Sequence, residues 1–163
     1  MRKLSMLALV LTAVCAGPAA AADLKDAMLS VHNAERAAVG VSPLTWNDAL
    51  ASDAAQWAQR LAQIETLQHS TADQRPGQGE NLWMGSAGGY TPAQMVQAWA
   101  DEKAAFRVGT FPDVTTGGVV GHYTQMVWRG TTTVGCAIAS SAKFDVLVCR
   151  YAPAGNMIGE PVY

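Results

Sequence analysis

The chain has 163 residues, of which half are hydrophobic and 15% charged. This predicts one packed globular domain and excludes an intrinsically disordered chain. Its formal charge is −2 with no basic stripe, which argues against nucleic acid or an anionic membrane surface as a partner.

Residues 1–22 read as a secretory signal peptide. Arg2 and Lys3 form a basic start, Leu4 to Ala16 is apolar, and the alanines up to Ala22 offer an A-x-A cleavage site. The apolar run is too short for a stable membrane anchor, and no later segment reaches transmembrane length. The remaining 23–163 are therefore expected to form a domain that is secreted or periplasmic, without a transmembrane anchor, and a monomer. Loss of Arg2 and Lys3 leaves nine basic against thirteen acidic residues, a formal charge of −4. Cys15 lies inside the leader, behind a poor lipobox. Cys136 and Cys149 remain, and an even pair in an exported domain reads as a disulfide.

The first predicted helix spans 24–39, rich in Ala, Leu, Met and Glu, and stops at Gly40. A second spans 48–68 with Asn47 as N-cap and Ala54, Trp57, Leu61 and Ile64 on its buried face. Residues 70–90 carry Pro76 and five glycines and read as loop, with a short strand at Asn81–Met84. The third helix spans 92–106, with Thr91 as N-cap, Pro92 at N1 and Gln94 completing a capping box. After a loop at 107–120 come three strand candidates, 122–128, 134–139 and 144–151. If Ala142 and Lys143 form the turn between the last two, paired residue numbers sum to 285, and Cys136 faces Cys149. Helices first and sheet last give an α+β class with antiparallel strands.

Several polar residues sit where core is expected. Met95, Trp99 and Phe106 make an apolar stripe on the third helix, and Glu102 completes it. A carboxylate there either reaches water at the stripe's edge or has a partner. His69 is placed at the end of the second helix, as a cap or as a site residue. Glu80, in "QGENLW", is either a loop carboxylate receiving backbone N–H groups or a site residue. His32, in "HNAER", is assigned a structural hydrogen bond, and the five tryptophans are assigned to the core. His122 opens "GHYTQMVWRG", where an imidazole, a phenol, a hydroxyl and an amide precede apolar Met126–Trp128.

In order along the chain, "HNAER" (32–36), "LQHS" (67–70), "GENLW" (79–83), Trp99 with Glu102, "GHYTQMVW" (121–128), "GCA" (135–137) and "CRYAPAGN" (149–156) resemble the CAP superfamily. This group comprises the cysteine-rich secretory, antigen 5 and pathogenesis-related 1 proteins. The resemblance runs from about residue 27 to the C-terminus. It implies a three-layer α-β-α sandwich with a central antiparallel sheet, and a cavity lined by His69, Glu80, Glu102 and His122. His32, Asn33, Arg36, Asn81 and Gln125 fall in the motifs as structural residues. The chain departs from the pattern in having a single disulfide, in lacking a cysteine-rich extension, and in carrying Arg150 where the family usually has Asn. The tail 153–163 resembles the peptide released from plant relatives, but its simpler role is to close the sandwich.

Two imidazoles with two carboxylates are half of a metal site. His69 and His122 would ligate zinc or another divalent metal through neutral nitrogens, with Glu80 and Glu102 orienting the rings or activating a water. Two ligands imply weak, exchangeable binding, and no metal is expected to be obligatory. Three readings stay open: a binding module for a lipid or sterol, with the 107–120 loop and the faces of the first and third helices as candidate sites; a metal-dependent, protease-like hydrolase using Glu80 and Glu102; and a structural or signalling protein whose tetrad only pins loops.

Overall fold

The computed structural model describes residues 18–163, with side chains from Asp23 onward. Of the expected signal peptide, 1–22, only 18–22 fall among these, as helical backbone; Cys15 and the rest lie outside the described residues. The elements in order are α1 (Pro18–Ala38), β1 (Thr45–Trp46), α2 (Asp48–Ile64), β2 (Gly79–Ser86), α3 (Pro92–Ala100), a 3-10 segment (Asp101–Ala105), α4 (Gly121–Met126), β3 (Thr133–Ser140) and β4 (Phe144–Ala152).

Local chemistry sets most of the boundaries. The Asn47 side chain accepts from the N–H groups of Ala49 and Leu50 and starts α2. Thr91 and Gln94 form the capping box of α3. Helix α2 is shorter than the predicted 48–68: Glu65 adopts a left-handed conformation, φ 47°, and ends it. His69 therefore lies in the following loop rather than on the helix. The third helix is α-helical only to Ala100, and Glu102 belongs to the 3-10 segment that follows.

The sheet has the order β1-β3-β4-β2. Its long pairings, β2 with β4 and β3 with β4, are antiparallel, and only the two-residue β1 runs parallel to β3. The β3–β4 hairpin places Cys136 opposite Cys149, as the turn placement predicts, and the two are bridged. Side chains on β4 alternate between two helical layers. Val146 and Val148 pack with Leu82 against Ala54, Ala58 and Leu61 of α2. Leu147, Cys149 and Tyr151 face Met28 of α1 and Met95 and Trp99 of α3. The result is the expected α-β-α sandwich.

Residues 122–128 are not a strand. Gly121–Met126 form helix α4, in which Tyr123, Thr124, Gln125 and Met126 are all buried. A short run with no period-2 alternation does not distinguish strand from buried helix. The helix wins because the Glu102 carboxylate accepts the N–H groups of His122 and Tyr123, at 3.0 and 3.1 Å.

The tail 153–163 packs onto the body. Val162 is buried, its carbonyl accepts from Arg129 N–H at 2.9 Å, and Tyr163 lies against Phe106.

Gly135 of β3 abuts the start of α2. A Cβ there would stand 2.5 Å from Asn47 O and 2.7 Å from Leu50 C, backbone atoms that cannot swing aside. Gly135→Ala should lower unfolding free energy by ~2 kcal/mol, the usual cost of overpacking. Urea denaturation of the purified variant checks this; a loss below about 0.5 kcal/mol would mean that α2 slides freely on the sheet.

Candidate functional site

The four residues implied by the resemblance form two histidine–carboxylate pairs, one on β2 at the edge of the sheet and one between α4 and the 3-10 segment. Glu80, on β2, is buried and has three hydrogen-bond donors and an ion pair. Its Oε1 accepts His69 Nδ1–H at 2.7 Å and Ser70 N–H at 3.0 Å. Its Oε2 accepts Ser70 Oγ–H at 2.9 Å and forms an ion pair with Arg150 Nη2 at 3.0 Å. Burial by itself would raise the Glu80 pKa, but the His69 bond, the Arg150 charge and the Ser70 bonds outweigh it and hold the carboxyl below its ordinary range. An ionised carboxylate only accepts, so the His69 proton sits on Nδ1 and Nε2 points away from Glu80. The His69 side chain is 56% exposed.

The second pair joins α4 to the 3-10 segment. His122 Nδ1–H donates to Glu102 Oε1 at 2.5 Å, while the other Glu102 oxygen caps α4. The imidazole stacks on Trp99, with centroids 5.9 Å apart and planes 17° apart. The Trp99 indole is itself fixed by donation to Leu82 O at 3.2 Å. This accounts for the polar start of "GHYTQMVWRG". His122 stands partly exposed at the mouth of the helix, and the following turn enters the core.

A buried hydrogen-bond chain ties the pairs to the body. Asn81 follows Glu80 on β2, and its amide donates to His122 O at 3.0 Å and to the Tyr151 hydroxyl at 3.1 Å. Tyr151 donates to His32 Nε2 at 2.8 Å, and His32 Nδ1–H donates to Met28 O at 2.7 Å. Burial pushes His32 down to about 4, so this imidazole is neutral. Asn33 exchanges two hydrogen bonds with the Leu44 backbone. Arg36 donates to four carbonyls. Gln125 bonds Thr131 Oγ1 and Gly155 N–H, and a Cβ at Gly79 would collide with its amide.

Each Nε2 is the ring nitrogen left over from the carboxylate pairing. Among the described residues no three of His, Cys, Asp and Glu stand together as a ready-made metal cluster. The donor set therefore offers at most two imidazoles, each with a carboxylate behind it, and open positions for water.

Two partners at the site went unread in the sequence. Ser70 carries a signal only as the hydroxyl next to His69. Arg150 stands out as a departure from the family pattern, but its pairing with Glu80 follows from the β2–β4 register, which places them opposite each other.

Known proteins share this sequence pattern and this fold. The family model described as the cysteine-rich secretory protein family, CAP, matches residues 29–151. The chain is 40% identical over 141 residues to pathogenesis-related protein PR-1 of Medicago truncatula, covering 85% of this chain and 79% of that protein. It is 42% identical over 136 residues to pathogenesis-related protein 1A of Nicotiana tabacum, covering 83% and 78%. Among solved structures, that of NaASP2 with Zn2+ superposes with a TM-score of 0.72 at 30% identity, covering 86% of this chain and 85% of that one. The chain is a member of the CAP family of cysteine-rich secretory proteins.

Proposed function

We propose that the protein is an exported binding module whose two carboxylate-backed imidazoles hold a divalent cation weakly. The supporting observation is that both rings are pinned through Nδ1 by a carboxylate, at 2.7 Å for His69 and 2.5 Å for His122. A carboxylate bonded to the far nitrogen of a metal-ligating histidine orients the ring in this way and raises its basicity. The structural relative NaASP2, 30% identical, has been crystallised with Zn2+. When bound, the cation would supply Lewis acidity at the edge of the sheet. His69 and His122 would hold it, and Glu80 and Glu102 would keep their rings in place.

Binding is favoured over hydrolysis because both carboxylates are already committed. Glu80 receives three hydrogen bonds and an ion pair with Arg150, and Glu102 receives two backbone N–H groups and an imidazole. Neither is free to take a proton from water.

The test is a calorimetric titration of chelator-stripped mature protein with Zn2+, beside a His69→Ala/His122→Ala variant. A Kd in the micromolar range or weaker is expected, lost in the double variant, with Glu102→Gln weakening binding by ~10-fold or more. Equal heats in parent and double variant would sink the reading and leave the pairs as structural clamps.

An organic ligand has a separate candidate surface. The α1–α3 interface is filled by Met28, Met95 and Trp99. Val108, Val119 and Ile158 instead stand at least two-thirds exposed on the 107–120 loop and the tail, which are tied together by the Phe111–Glu160 and Gly159–Phe111 backbone bonds. Exposed apolar residues on adjoining segments suit a lipid or sterol. Sterol pull-down that survives Val108→Ser/Ile158→Ser would overturn this assignment.

A further inference from the structure

On the α2 face of the sheet a cavity of about 440 Å3 is lined by Asp53, Trp57, Gln74, Pro76, Gln78 and Arg150, among others. That volume falls within the range of small-molecule sites, roughly 300–1,000 Å3. The Arg150 side chain is only 2% exposed. One of its nitrogens pairs with Glu80, but Nε and Nη1 have no hydrogen-bond partner among the described residues. Gln78 Oε1 is likewise buried without a partner, while its Nε2 donates to Asp53 at 2.9 Å. Buried donors and acceptors left unpaired in a native fold are costly and call for an explanation.

The charges say what would satisfy them. The Arg150 guanidinium is already balanced by Glu80 at 3.0 Å. Arg75 and Asp53 also act on it, so the charged groups around it sum to zero. An added anion would face two carboxylates, whereas a neutral ligand with many hydroxyls offers acceptors to Arg150 and a donor to Gln78 Oε1. Trp57 adds a partly exposed aromatic ring, fixed by indole donation to Gln68 O at 3.1 Å. A rigid aromatic face beside polar groups of both kinds suits a sugar ring.

We propose that this cavity is a binding site for a neutral saccharide, with a sugar ring against Trp57 and hydroxyls on Arg150 and Gln78. The unpaired groups are covered from solvent, so side chains at the rim give way as the ligand enters. The site is separate from the Nε2 atoms of His69 and His122. It is linked to His69 through Glu80 and through the Trp57 bond to Gln68 O, and it does not depend on a bound metal.

The experiment titrates the mature protein with cellotriose, chitotriose and maltotriose, following the indole N–H resonances by NMR and the heats by calorimetry. At least one trisaccharide should bind with a Kd of ~1 mM or tighter and shift the Trp57 indole signal. Arg150→Lys keeps a cation for Glu80 but removes the unpaired guanidinium groups, and should weaken binding about tenfold. Trp57→Phe, which keeps an aromatic ring, should weaken it about threefold or more and serves alone if the lysine variant does not fold. The proposal fails if none of the three sugars binds, if both variants bind like the parent, or if acetate occupies the cavity where the sugars do not.

Discussion

Arg36→Leu should be the most damaging single substitution in the domain, lowering unfolding free energy by ~4 kcal/mol in urea denaturation. The Arg36 side chain is buried to 1% exposure and leaves the C-terminal part of α1 for the interior. It donates to Ser42 O at 2.6 Å, Met126 O at 3.0 Å, Trp128 O at 2.9 Å and Thr131 O at 2.8 Å. Those carbonyls belong to the turn after α1 and to the end of α4 with the segment leading into β3. One guanidinium thus joins three parts of the fold that share no backbone ladder. Burial lowers its pKa to about 10, so it stays charged at neutral pH, solvated by carbonyl dipoles instead of a carboxylate. Leucine fills part of the volume but leaves Ser42 O, Met126 O and Thr131 O without the guanidinium, while Trp128 O keeps only the Thr131 N–H at 3.1 Å. Arg36→Lys has the charge but not the planar spread of donors, and should lose ~2 kcal/mol. A leucine variant within about 1 kcal/mol of the parent would show that water enters and solvates the carbonyls.

Stability should also fall steeply on mild acidification, by roughly 3 kcal/mol between about pH 6.5 and pH 4. The cause is His32. It is fully buried, with both ring nitrogens used, and burial lowers its pKa from 6.5 to about 4. In the unfolded chain the imidazole takes up its proton near 6.5, while in the folded protein it does not until near 4. Protonation therefore favours the unfolded state within that window. The contribution is complete above 6.5, shrinks as the pH falls, and levels off below 4. Glu80 adds a loss in more acidic solution, because its folded pKa is depressed below 4.5 and its stabilising bonds weaken as it is protonated. Denaturation midpoints from pH 7 to 4 in the parent and in His32→Gln separate the two. The variant should lose most of the slope above pH 4, and an unchanged slope would assign the acid sensitivity elsewhere.

Much of the architecture was legible because its causes are local. Asn47 and Thr91 mark helix starts through their own side chains, and Pro92 and Gln94 confirm the second. The β3–β4 register follows from a short turn and period-2 pairing, so two cysteines fourteenth and first in a hairpin stretch could be placed opposite each other from residue numbers alone. The odd position of Glu102 on an apolar stripe was legible as well, since a carboxylate there must either reach water or find a partner; the structure gives it His122.

What only the tertiary structure decided is how residues distant in sequence meet. The sequence by itself determined the mixed class, the helix starts, the hairpin with its disulfide, and, through its motifs, the family. It did not determine that 121–126 coil as a helix, because that choice rests on two N–H groups meeting a carboxylate about twenty residues earlier. Nor did it determine that α2 stops at Ile64 and frees His69 to turn back to Glu80, a bond across eleven residues. The contact between Arg150 and Glu80 depends on β2 pairing with β4 across seventy residues of chain. Local propensity reads a few residues at a time, whereas each of these contacts exists only after the sheet has brought its strands together.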